Sequence, residues 1–303
     1  MGEGVRVQLW VTMGMLGCSS TAGTPLIEAH RAGAGYWPQN SASAVNGAIR
    51  SGFEGLEVDL GLTRDGVAVL HHDPFLSSPS CSRANGAELS ERVRLDQLRL
   101  GRLQDTYVCG GAPDPDFPGA EVVAEPVMAF PEFLAMLEGA DSRMQVHLDV
   151  KFEPGWTRPA EDFAQAILDP WWASELPQPL VVTANTSVAL VAFENHARVN
   201  GRDLTTLRIH PLAPVDSSAV AVGLGAEADR LLGKADYLAL IDEAQADGIA
   251  VNFEVAEREQ LAWVQAAGFQ TALWTVNEAD ALRFYAQWPV DFLITDYPAR
   301  WWP

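Results

Sequence analysis

Eight short apolar, β-favouring runs alternate with amphipathic helical stretches along the chain, and this alternation limits the fold more than any other feature of the sequence. The runs are Leu26 to His30, Gly55 to Leu60, Gln145 to Lys151, Leu180 to Thr183, Leu204 to His210, Ile249 to Phe253, Thr271 to Thr275 and Phe292 to Thr295. Helical stretches fall between them at Ser41 to Ser51, Pro131 to Glu138, Glu161 to Leu168, Ser187 to Asn200, Arg258 to Ala267 and Glu278 to Gln287. Gly52, Gly248 and Gly268 each stand just before a strand, the punctuation of a βα unit. Eight such units predict a closed (β/α)8 TIM barrel, one domain over residues 24–303. The 48% hydrophobic content of the 303 residues is ample for its core.

Two departures from plain alternation are visible. Asp65-Gly66 is a tight-turn signal between the second run and Val67 to Leu70, so an extra hairpin strand should carry His71, His72 and Asp73 back to the barrel mouth. A loop-rich excursion then follows at about residues 77–125, with one helical patch near Leu89 to Leu103. Long loops in compact domains are usually lids or small subdomains, which makes this insertion a candidate for substrate selection.

In Glu57-Val58-Asp59 the two-residue strand repeat turns both carboxylates to one face and Val58 to the other. Burying two unpaired carboxylates is costly, so either a cation compensates them or one acid is solvated and the other pairs with Arg31 or Lys151. The same repeat in Gln145 to Lys151 puts His147, Asp149 and Lys151 on one face. Its polar face must look into the barrel, with His147 deeper along the strand as a hydrogen-bonded core histidine.

Forty acidic against twenty basic residues leave a formal charge of −20, which repels nucleic acid and anionic membrane surfaces, so any attraction for a phosphate must be local. Residues 1–18 contain a single Arg6 and then a short apolar run ending at Gly17-Cys18. That run is too short to span a bilayer and reads as a bacterial export signal, with Cys18 as a lipidation candidate that would tether the protein to the cell envelope. A cleaved signal and a buried N-terminal segment are the alternatives. In an exported, oxidising compartment Cys81 and Cys109 are an even pair and a disulfide candidate; the alternative is two free thiols.

His30-Arg31-Ala32-Gly33, Pro38-Gln39-Asn40-Ser41, Glu57-Val58-Asp59-Leu60, Thr63-Arg64-Asp65-Gly66 and His72-Asp73 closely resemble the successive motifs of glycerophosphodiester phosphodiesterases. Asp149-Val150-Lys151, Leu273-Trp274-Thr275-Val276-Asn277 and Ile294-Thr295-Asp296-Tyr297-Pro298 continue the resemblance in order, so it covers essentially the whole chain after the signal segment. The resemblance implies hydrolysis of a glycerophosphodiester, such as glycerophosphocholine, to glycerol 3-phosphate and an alcohol. It implies His30 and His72 as general acid and base, and Glu57, Asp59 and Asp149 as ligands of one divalent cation. An all-oxygen set favours Mg²⁺ or Ca²⁺ over zinc. Arg31 and Lys151 are then phosphate ligands, and Trp274 packs against the leaving alcohol. Glu254 ends the sixth strand with its role open, and Asp296 is expected to cap a short helix.

Three positions depart from the commonest pattern of that family: Ala32 and Gln39 replace a glycine and a glutamate, and Asp149 replaces a glutamate. None removes a histidine or the Glu57 and Asp59 pair. Two rival readings remain: phospholipase D-like cleavage of sphingomyelin or lysophospholipids, and a non-catalytic surface lipoprotein that binds phosphodiester headgroups.

Overall fold

The computed structural model describes residues 23–140, 143–211 and 237–301. The N-terminal segment with Cys18 lies outside the described residues. The barrel strands are Leu26–Ala29, Gly55–Leu62, Gln145–Val150, Leu180–Ala184, Thr205–Ile209, Gly248–Asn252, Gln270–Trp274 and Phe292–Thr295. Each pairs in parallel with the next, and the first also pairs with the eighth, so the sheet closes on itself as a TIM barrel. All eight expected strands are present. The first, third, fifth, sixth and seventh end one residue early, which leaves His30 and Lys151 just past the ends of the first and third.

Closure explains why the second strand is buried at every residue from Gly55 to Leu62. Its outward side chains, Leu56, Val58 and Leu60, pack under the helices with Phe130, Phe133, Phe163 and Phe193. Its inward ones, Glu57 and Asp59, enter the barrel, as the strand repeat requires. Part of the remaining interior is filled by a small apolar cluster that includes Val181, Leu207, Ala250, Ala272, Phe292 and Ile294.

The helix Ala42–Ser51 starts where Ser41 accepts the Ala44 N–H at 3.1 Å and stops at Gly52, whose φ of +67° is left-handed. The helix expected to end at Leu168 runs over Ala160–Ala173. Pro170 lies inside it, and Trp171 beyond that proline is buried against the core. A helix at Tyr237–Ala244 was not legible in the sequence.

After the hairpin strand Ala68–Leu70, antiparallel to the second barrel strand, the insertion forms two small ribbons. Its helix is Leu100–Thr106 rather than the expected Leu89 to Leu103. Val93 and Arg94 are drawn into pairing with Leu76 and Phe75, and Asp65 accepts the Leu100 N–H at 3.0 Å where the helix begins. The insertion has its own apolar cluster around Leu76, Leu95, Leu103 and Tyr107. Cys81 and Cys109, opposite each other in the second ribbon, are joined as a disulfide. Among the described residues no helix is long and apolar enough to cross a membrane.

Candidate active site

The C-terminal ends of barrel strands are where loops from different strands converge, and the polar residues singled out above meet there. His30, Arg31, Glu57, His72, Asp149, Lys151 and Trp274 line one cavity of about 420 Å³. Asp59 is fully buried behind that wall. His71 does not line this cavity; its ring is tied to the Phe75 carbonyl at 3.2 Å. Glu254 is exposed and stands outside it.

Glu57 comes from the second strand and Asp149 from the third, and Asp59 is the register partner of Asp149. One oxygen from each of the three carboxylates lies within 4.8 Å of the others. Of the outcomes the sequence left open for these acids, the pairing of one of them with Arg31 and Lys151 is seen, at Asp59, but neither Glu57 nor Asp59 is solvated. Asp59 is compensated by protein cations, with Lys151 Nζ at 2.9 Å and Arg31 Nε at 3.4 Å, while Asn40 Nδ2 donates to it at 2.6 Å. Burial pushes the Asp59 carboxyl up, yet the charges of Lys151, His72, Arg31 and His30 outweigh it and hold the group well below the usual range.

Glu57 has no such cover. Burial first, then repulsion from Asp59 and Asp149, push it well above an ordinary glutamate, against weaker help from the Arg31 N–H and Lys151. One oxygen of Asp149, Oδ1, is buried without a hydrogen-bond partner among the described residues. A carboxylate that resists ionisation and an unused buried oxygen, among three hard oxygen donors, fit a divalent cation such as Mg²⁺ or Ca²⁺. Lys151 remains charged beside them: burial pulls its pKa down, but Asp149 and Asp59 more than reverse this.

Each candidate histidine is held by a carboxylate on Nδ1, which leaves Nε2 for the cavity. His72 bonds Asp73 Oδ1 at 2.8 Å. Burial and the nearby Lys151 charge lower its pKa, only partly offset by Asp59. His30 bonds Asp296 Oδ1 at 2.7 Å, and its Nε2 lies 4.0 Å from Glu57 Oε2. Asp296 therefore does not cap the helical turn Pro298–Arg300, which follows Tyr297 without a side-chain cap. It is fixed instead by Asn277, whose Nδ2 donates to Asp296 Oδ2 at 2.7 Å and whose Oδ1 accepts the Asp296 N–H at 2.9 Å. Sequence reasoning missed this role because 266 residues separate the partners, and only pairing of the first strand with the eighth makes them neighbours.

Arg31, Ala32 and Gly33 all take left-handed φ, of 50°, 65° and 93°. That turn directs the Arg31 N–H to Glu57 Oε2 at 2.7 Å. The Arg31 guanidinium donates to Gln39 Oε1 at 2.5 Å, and Gln39 in turn donates to Asp114 of the insertion at 3.0 Å. Ala32 thus carries a Cβ through a conformation that favours glycine.

The family model of the glycerophosphoryl diester phosphodiesterases matches residues 30–300. The chain is 24% identical over 300 residues, 92% of both proteins, to the protein named "Probable glycerophosphodiester phosphodiesterase 1" of Mycobacterium tuberculosis. It superposes on a crystal structure from Silicibacter pomeroyi DSS-3 with a TM-score of 0.77, at 21% identity and over 91% of each chain. It also superposes on an Oleispira antarctica phosphodiesterase in complex with the product sn-glycerol-3-phosphate, with a TM-score of 0.65 at 20% identity, over 91% of this chain and 94% of that one. With that family match spanning nearly the whole barrel, from the first site histidine to the last helical turn, this chain belongs to the glycerophosphoryl diester phosphodiesterase family, a family of phosphoric diester hydrolases.

Proposed function

We propose that the protein hydrolyses a glycerophosphodiester to sn-glycerol 3-phosphate and an alcohol by two-histidine acid/base catalysis assisted by a divalent cation. The observation that carries this reading is the meeting, on one cavity, of two carboxylate-oriented histidines, two cationic side chains and the Glu57 and Asp149 members of a carboxylate trio. A phosphodiester resists attack because its charge repels nucleophiles and its alkoxide leaves poorly. Arg31 and Lys151 answer the first problem by gripping the phosphate oxygens. The histidines answer the second: one takes the proton of the attacking hydroxyl and the other gives a proton to the departing oxygen. Asp296 and Asp73 hold the two rings so that Nε2 is the atom that moves the proton in each. Glu57, Asp59 and Asp149 would hold the cation, which when bound neutralises phosphate charge and acidifies the attacking hydroxyl or water.

The test uses the chain from Ser19 onward, stripped with a chelator and then given Mg²⁺ or Ca²⁺. Release of glycerol 3-phosphate from glycerophosphocholine should depend on the metal and fall by roughly 10² to 10⁴ in His30→Ala and in His72→Ala. Turnover unchanged in both variants would end the two-histidine reading. Faster cleavage of sphingomyelin vesicles than of glycerophosphocholine would move the assignment to a lipid-cleaving relative.

A further inference from the structure

Beneath the carboxylates the barrel holds a second polar unit that the reaction above does not use. Glu28 comes from the first strand and His147 from the third, and both are fully buried. The second strand runs between them, but its residue at the level of Glu28 is Gly55. A Cβ there would stand 2.6 Å from Glu28 Cγ, so the glycine is what allows the glutamate to reach across. Glu28 Oε2 meets His147 Nδ1 at 2.7 Å, and the imidazole packs edge-on against Phe292.

With Nδ1 engaged, Nε2 is the ring atom left over. It is buried and has no hydrogen-bond partner among the described residues, while His147 lines the same cavity as His30, Glu57 and Asp149. An unpaired buried nitrogen is costly, and one at a cavity wall is relieved by whatever enters the cavity. With the Glu28 carboxylate on Nδ1, Nε2 is the atom turned to an incoming group, and a hydroxyl, which both donates and accepts, pairs with it whichever proton the ring carries. The cavity that His147 lines has Ile209, Ala250 and Ile294 as apolar wall and Arg31 and Lys151 as donors, with Thr183, Asn185 and Thr275 as its uncharged polar groups. The chemistry that completes this corner is an O–H group.

We propose that Glu28 and His147 form a hydroxyl-accepting subsite in which His147 Nε2 receives a free hydroxyl of the glycerol half of the substrate while the phosphate lies against Arg31 and Lys151. This rests on the diesterase reading given above and adds to it the means by which a polyol is preferred to a plain alkyl phosphodiester. His147 is the binding residue, and Glu28 is a positioning residue that sets which ring nitrogen is offered.

The test compares binding of sn-glycerol 3-phosphate and of 1-propyl phosphate, which has the same chain without hydroxyls, by calorimetry in the presence of the metal. The unaltered protein should bind the former at least about tenfold more tightly, the scale of one buried hydrogen bond. In the double variant Glu28→Leu/His147→Leu, which removes both partners together and leaves no unpaired charge, the ratio should fall to about one while propyl phosphate affinity is kept. An unchanged ratio, equal loss for both ligands, or no preference in the unaltered protein would each overturn the subsite. A crystal structure with sn-glycerol 3-phosphate reads the same contact without a variant: a hydroxyl within about 3.2 Å of Nε2 supports it, and water there with glycerol elsewhere overturns it. Glycerophosphocholine turnover of the unaltered protein is measured alongside. Turnover with a negative ligand result sinks the subsite alone, whereas no turnover and no binding of either phosphate sinks the diesterase reading with it.

Discussion

At the residue scale, each histidine that would move a proton is tied to an aspartate, but the two ties differ in origin. Asp73 is the chain neighbour of His72, so that pair was legible as a motif. Asp296 was legible only as a helix cap, and its contact with His30 comes from barrel closure. Burial pushes Asp296 up, while the His30 charge and hydrogen bond, the Asn277 amide and Arg31 bring it below its ordinary value. A folded-state pKa lowered in this way adds stability that is complete above the unfolded value of about 3.8 and is lost as pH falls through the folded value. Asp296→Asn should therefore flatten the stability–pH curve on that acid side, read by denaturant titrations at successive pH values. The new amide can donate to Nδ1 and leave the ring in the wrong tautomer, so kcat should fall by about 10² or more with little change in KM. Unchanged turnover would make Asp296 structural only.

At the scale of elements, the barrel strands were legible because each is short, apolar and bounded by turn residues. The hairpin was legible through Asp65-Gly66 and brought His72 to the mouth as expected. The insertion was less so: its short ribbons lack periodicity, and its helix position depends on a distant acceptor, Asp65. The disulfide between Cys81 and Cys109 closes a sequence separation of 28 residues, worth roughly 3 to 4 kcal/mol by the loop-entropy estimate. The Cys81→Ser/Cys109→Ser variant should lose up to about that much in chemical denaturation. A loss below about 1 kcal/mol would mean that the cluster around Leu76, Leu95, Leu103 and Tyr107 already holds the insertion, a few buried side chains sufficing for that.

For the whole molecule, the governing quantity is the formal charge of −20, part of it gathered at the carboxylate trio inside the barrel. A cation bound there stabilises the folded chain in proportion to the logarithm of its concentration, about 2.7 kcal/mol at one hundred times Kd. Millimolar Mg²⁺ or Ca²⁺ should therefore raise Tm beyond what monovalent salt of equal ionic strength achieves by screening alone. Glu57→Gln should abolish the divalent increment and leave the monovalent one. Equal shifts from both salts would remove the metal site from the account.

What the sequence determined by itself was local or periodic: which runs are strands, which side chains share a face, and which motif residues stand at strand ends. Those rules follow from the two-residue repeat of a strand and need no knowledge of neighbours. Only the tertiary structure decided the pairings across the barrel, Glu28 with His147, Asp296 with His30 and Asn277, and Lys151 between Asp59 and Asp149. Closing the sheet brings residues 119 and 266 positions apart to hydrogen-bond distance, and no local pattern carries a record of that closure.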